Sequence, residues 1–217
     1  MTDAGAAAAP GPRTEPRLDT SGRGRAAIGR WIIAVTVGEA VGFAIAAAVA
    51  VGTVGLAMPD QWRYPVIVVG GALEGAVLGG AQLIGMGPRR PGAVRWIVAT
   101  ALGAALAWSI GLLPGTFAIP LSSPLAVVAS AVGGVVLLAT IPVAQWLTIR
   151  PRAHAVRWIP VNMGAWAIAI LWTFAPSPIV DESTSIGVLI TVYAVAGLLM
   201  AGTVATLTAT TARRLFA

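Results

Sequence analysis

Six apolar stretches alternate with short polar turns along this chain, at residues 31–52, 65–86, 96–113, 124–147, 158–175 and 186–208. Each is long enough to cross a hydrocarbon core of about 30 Å as a helix rising about 1.5 Å per residue. Arg-Trp-Ile opens the first, third and fifth of them, at Arg30-Trp31-Ile32, Arg95-Trp96-Ile97 and Arg157-Trp158-Ile159. The steps between copies are 65 and 62 residues, the length of two spanning helices with their loops. Ala81-Gln82 and Ala144-Gln145 fall into the same register, while the sixth stretch keeps only a glycine-containing core (Gly187, Gly197, Gly202) and closing arginines. The pattern predicts an all-α integral membrane protein with six transmembrane helices, arranged as three parallel-repeated helix hairpins in a pseudo-three-fold bundle. Residues 1–27, rich in Ala, Gly, Pro and Arg, bury too little apolar surface to offset their ordering entropy, and are expected to form a disordered cytoplasmic tail ahead of a membrane domain at 28–217.

Composition strengthens this reading. Hydrophobic residues make up 57% of the chain and charged residues 10%, against about 25% charged in a soluble domain, so most of the outer surface must face lipid. All 14 basic residues are arginine, no residue is cysteine, and the single histidine is His154. Without lysine there is no retinal Schiff base. Without cysteine there is no disulfide or iron–sulfur cluster. One loop histidine supplies neither a bis-His haem nor an intramembrane Ser–His pair. No metal site and no cofactor are expected.

Charge sets orientation. Thirteen of the 14 arginines lie before the first stretch, between the second and third, between the fourth and fifth, or after the sixth. The positive-inside rule makes that side cytoplasmic and places both termini there. The other side carries Asp60 with Arg63, an uncharged Pro-rich loop from Pro114 to Pro124, and Asp181 with Glu182. Arginines beside membrane spans account for the net charge of +6 through orientation and contact with anionic lipid, so no nucleic-acid partner is expected. Membrane lipid is the expected partner, with a small solute or lipid substrate and either a membrane-protein partner or a homo-oligomer left open.

Gln145-Trp146-Leu147-Thr148-Ile149-Arg150, preceded by Gly133-Gly134 and followed by Arg157-Trp158-Ile159, resembles a group of small, mostly uncharacterised bacterial polytopic membrane proteins. These carry a Gly-rich helix ending in Gln-Trp-Leu-x-x-Arg and a Trp-led returning helix. The first copy, Gln82-Leu83-Ile84-Gly85, lacks both the Trp and the Arg. The resemblance implies a multi-pass protein of the bacterial plasma membrane and carries over no activity.

Candidate chemistry is sparse. Glu39 and Glu74 are the ionisable residues well inside spans, at repeat positions answered by Ala104 and Leu137. A central acid costs about 2.5–3.5 kcal/mol on insertion scales, so it turns toward the bundle interior and often marks function. Glycines spaced by four (Gly38 and Gly42; Gly71, Gly75 and Gly79) let helices approach closely beside both. The pair reads as a proton- or cation-handling site, as a general acid facing an apolar substrate, or as protonated carboxyls bonded to Thr36, Thr100 or a carbonyl. Gln82, Gln145 and Asn162 form either a polar vestibule or cross-links between helices. Trp108 and Trp166 are candidate cavity aromatics. Arg30, Arg95 and Arg157 are candidate anchors for lipid or an anion, with Trp31, Trp96 and Trp158 beside them in the aromatic belt. Three function classes follow: a small carrier or pore subunit with Glu39 and Glu74 in its pathway, an intramembrane enzyme acting on a lipid or isoprenoid with Glu as general acid, and a non-catalytic accessory or assembly subunit.

Overall fold

A computed structural model describes residues 20–116, 123–181 and 183–217. Its helices are α1 (Thr20–Gly55), α2 (Asp60–Gly85), α3 (Ala93–Thr116), α4 (Pro124–Ile149), α5 (Trp158–Ala169) and α6 (Ile186–Phe216). A 3₁₀ turn at Ala155–Arg157 leads into α5, and a second at Ile170–Phe174 extends it. Six spans are long and apolar enough to cross a membrane, and the described residues contain no strand. The protein is a polytopic six-helix membrane protein.

Helix α1 starts at Thr20, inside the segment expected to be a tail, and residues 1–19 lie outside the described residues. Helix α6 runs on to Phe216, past the expected end at 208, with Arg213 and Arg214 in its last turn where cations favour the helix dipole. Pro114 belongs to the last turn of α3, while residues 117–122 of the Pro-rich loop and Glu182 lie outside the described residues. Ser123 caps α4 by accepting from the Ala126 amide at 3.1 Å, and Pro124 fits the first helical position because its missing N–H has no partner to lose. The α4 helix continues through Pro142.

Each helix packs on its neighbour in sequence, and α6 returns against α1, closing a ring. Glycines set the seams. Gly38 and Gly42 of α1 lie against Ala81 and Glu74 of α2; Gly71, Gly75 and Gly79 lie against Trp108, Ala104 and Thr100 of α3. A Cβ on Gly75 would stand 2.7 Å from the Thr100 carbonyl oxygen, and one on Gly103 2.7 Å from the Ile141 Cα. These approaches exist only with glycine.

Burial is concentrated at the arginine-bearing end. Residues 142–149 of α4 and 196–216 of α6 hold all of the buried positions in those two helices, whereas their opposite halves are largely exposed. Val and Leu cover the outer faces, as at Val132, Val135, Leu198 and Leu199, as a lipid-facing surface requires. The ring is therefore tight at one end and looser at the other.

Candidate functional site

The site is built in two layers, and the first seals the arginine-bearing end. Trp31, Trp96 and Trp158 do not lie in an outer aromatic belt; they are at most 2% exposed and converge on the bundle axis. Each meets Phe216, at ring-centroid distances of 6.4, 5.7 and 5.6 Å respectively. Arg152 lies over the outer side of that plug, its guanidinium carbon 5.4 Å from the Phe216 ring. Burial, and then the nearby Arg89, lower the Arg152 pKa from its ordinary value.

Each indole N–H must find an acceptor once buried, and that need turns the tryptophans inward. Trp96 donates to Gln82 Oε1 at 2.9 Å, Trp158 to Gln145 Oε1 at 2.8 Å, and Trp31 to Thr208 Oγ1 at 3.0 Å. Gln82, Gln145 and Thr208 stand at equal intervals of 63 residues, so the same bond joins α2 to α3, α4 to α5 and α6 to α1. Thr208 is the member sequence reasoning missed: its chemistry differs from glutamine, although the interval was there to read. Gln145 Nε2 also donates to Gln82 Oε1 at 2.7 Å and to Thr100 Oγ1 at 2.9 Å. Asn162 donates to the Trp158 carbonyl one turn back on its own helix. All three amides are at most 3% exposed. Rather than lining an open vestibule, Gln82 and Gln145 cross-link helices beneath an aromatic plug, and Asn162 bonds its own backbone. Such groups cannot stay unpaired out of water.

Of the candidate arginine anchors, Arg30 donates to the Gly85 and Met86 carbonyls, both at 3.3 Å, completing the end of α2. Arg95 and Arg157 are exposed at the same end. His154 is exposed in the α4–α5 turn with a left-handed φ of 61°.

The second layer lies two turns deeper, about 12 Å at 1.5 Å per residue. It surrounds a cavity of about 250 Å³ to which all six helices contribute. Glu39, Ala104 and Trp166 from the odd-numbered helices meet Glu74, Leu137 and Met200 from the even-numbered ones. These six positions recur at the spacing of the Trp and Gln positions, each eight residues from its first-layer counterpart. Four are apolar or aromatic; the two acids both come from α1 and α2. Trp108 and Trp166, the candidate cavity aromatics, both line the cavity.

The two carboxyls share this one cavity. Trp108 Nε1 donates to Glu74 Oε2 at 2.6 Å, and Gly71 makes room for that indole. Glu39 is fully buried, and neither of its oxygens has a hydrogen-bond donor among the described residues. The polar group it faces is the Glu74 carboxyl. Two carboxylates cannot bond one another, whereas a shared proton lets one O–H donate to the other. Thr36 and Thr100 do not serve as their partners: the Thr36 hydroxyl is itself unpaired, and Thr100 donates to the Trp96 carbonyl while accepting from Gln145. No group of three or more potential metal ligands occurs among the described residues. No family model, curated protein or solved structure matches the chain.

Proposed function

We propose that this protein is a small membrane carrier whose substrate site is the cavity between Glu39 and Glu74, with substrate movement linked to release of a proton by the two carboxyls. The observation that supports it most is the Glu39 carboxyl, buried without a donor on the wall of a shared cavity. A merely structural acid would be expected to find its bonds within the fold, as Gln145 does. The three hairpins are read as a repeated scaffold into which two acids were placed at one point of an otherwise apolar layer. By the positive-inside rule the sealed, arginine-bearing end faces the cytoplasm of a bacterial plasma membrane, and the looser end faces outward. The Trp–Gln layer is then the inner gate of an outward-facing state.

The test is reconstitution of the full chain in liposomes loaded with a pH-sensitive dye, challenged with panels of organic cations, organic anions and neutral solutes. At least one panel is expected to move protons across the membrane, and Glu74→Gln to abolish the movement. Flux that survives both Glu39→Gln and Glu74→Gln overturns the role given to the two acids, and no flux from any panel leaves a non-catalytic subunit as the better account.

An apolar cavity closed at one end and walled by Trp108 and Trp166 also favours a second reading. In it, a protonated Glu39 acts as general acid on a lipid or isoprenoid substrate, the indoles facing the developing cation. Product formed in detergent, with no gradient present, distinguishes it.

A further inference from the structure

We infer that the cavity binds a monovalent lipophilic organic cation of about eight to a dozen non-hydrogen atoms, taken up in exchange for one proton from the Glu39–Glu74 pair. This rests on the cavity being the substrate site proposed above and names the class of molecule it takes.

Three features of the wall select that class. First, among the described residues no basic side chain lines the cavity and its ionisable groups are the two acids, so an anion finds no counter-charge there. Second, an inorganic cation finds too few oxygens. Ca²⁺ takes six to eight oxygen ligands, and among the described residues only the Thr173 hydroxyl adds a side-chain oxygen to the lining besides the carboxyls. The remaining wall is Phe43, Leu78, Ile141 and similar groups that repay no desolvated ion. Third, Phe43, Trp108 and Trp166 put aromatic rings on the wall, and such rings attract a cation carrying its own alkyl or aryl coat. A charge spread under such a coat loses little hydration on entry, and one carboxylate balances it. An apolar cavity of about 150 Å³ holds benzene, so one of about 250 Å³ has room for a ligand of about ten non-hydrogen atoms.

The proton balance is fixed by the same geometry. With both carboxyls uncharged, entry of one cation requires one O–H to break: its electron pair stays on the carboxyl oxygen and the proton leaves to solvent. Glu74, whose carboxyl accepts the Trp108 N–H, is the group that carries the resulting charge. Glu39, which has no donor among the described residues, keeps its proton and turns it toward Glu74. One cation in and one proton out leaves the cavity's net charge unchanged.

The probe is benzyltrimethylammonium, a permanent cation, set against neopentylbenzene, in which carbon replaces nitrogen with the same shape. Titrated into the full chain in nanodiscs, the cation is expected to bind at least tenfold tighter than its neutral isostere. It should release close to one proton per molecule bound into weakly buffered medium. Glu74→Gln is expected to erase that preference and the proton release together. Equal binding of the two probes, no binding of the cation, or cation binding without proton release overturns the proposal; none of these readings needs a variant to fold. The carrier reading fails separately. If the cation binds with proton release in nanodiscs but liposomes show no proton-linked uptake of it, the ligand class stands and transport does not. If liposomes show glutamate-dependent flux of a neutral or anionic solute only, transport stands and the cation does not.

Discussion

Gln145 and Glu39 are both fully buried, similar in length to methionine, and expected to respond to replacement by it with opposite sign. Gln145 donates to Gln82 and Thr100 and accepts from Trp158, so Gln145→Met removes three interhelical bonds. At about 0.6 kcal/mol for each bond within a membrane, that is about 2 kcal/mol. The Trp158 N–H is then stranded in the aromatic plug, adding about 1 kcal/mol at the lower end of the cost of an unsatisfied buried donor. Gln145→Met is therefore expected to destabilise the bundle by about 3 kcal/mol. Glu39 has no donor to lose among the described residues. Glu39→Met relieves the burial of an unsatisfied carboxyl, worth about 1–3 kcal/mol, less about 0.6 kcal/mol for a proton shared with Glu74. A gain of about 1–2 kcal/mol is expected, together with loss of proton-linked flux. Reversible unfolding in mixed micelles of rising SDS content, followed by tryptophan fluorescence, measures both. Destabilisation by Glu39→Met of 1 kcal/mol or more would show that the carboxyl holds the fold together, and the case for a binding site would lose its basis. A neutral Gln145→Met would refute the cross-linking role of the first layer.

Three other expectations can be checked directly. Gly71→Ala places a methyl inside the Trp108 ring and breaks its bond to Glu74; a loss of about 1–3 kcal/mol in the same unfolding assay is expected, and an unchanged midpoint counts against the close packing of α2 on α3. Because the chain has no cysteine, single cysteines at Gly92 and His154 are clean reporters; both are expected to react with an impermeant maleimide from the same side of sealed vesicles, and labelling from opposite sides refutes the hairpin topology. The Asp181 pKa is lowered by bonds from the Ser183 hydroxyl, then the Thr184 hydroxyl and the Ser183 amide. A depressed folded-state pKa means its turn is fully supported above the ordinary aspartate value of about 4 and loses support as pH falls through the lower folded value. NMR titration of Asp181 in micelles reads this, and a midpoint at or above the ordinary value contradicts the turn.

How much of this was legible depended on direction. Position along the membrane normal is written in the chain, because a bilayer sorts residues by depth: apolar runs cross it, and Arg89, Arg90, Arg95, Arg150, Arg152 and Arg157 fall in the turns of one end. The two acids stood out for the same reason, since a carboxyl at mid-depth is costly wherever it points. Rotation about each helix axis was not legible. In water an apolar stripe marks the inward face; in lipid the outward face is equally apolar, so α1 carries almost no amphipathic bias. Trp31, Trp96 and Trp158 therefore read as interface anchors, and only their neighbours show otherwise: Gln82, Gln145 and Thr208 offer the acceptors that bring them to the axis. Six spans, their alternation and the depth of Glu39 and Glu74 follow from the order of residues. Tertiary structure alone decided that α6 closes on α1 through Thr208 and Trp31, that the amides bond one another beneath Phe216, and that two acids from one hairpin share a cavity completed by the other two. Which faces meet is a property of the packed pairs, and no single helix carries it.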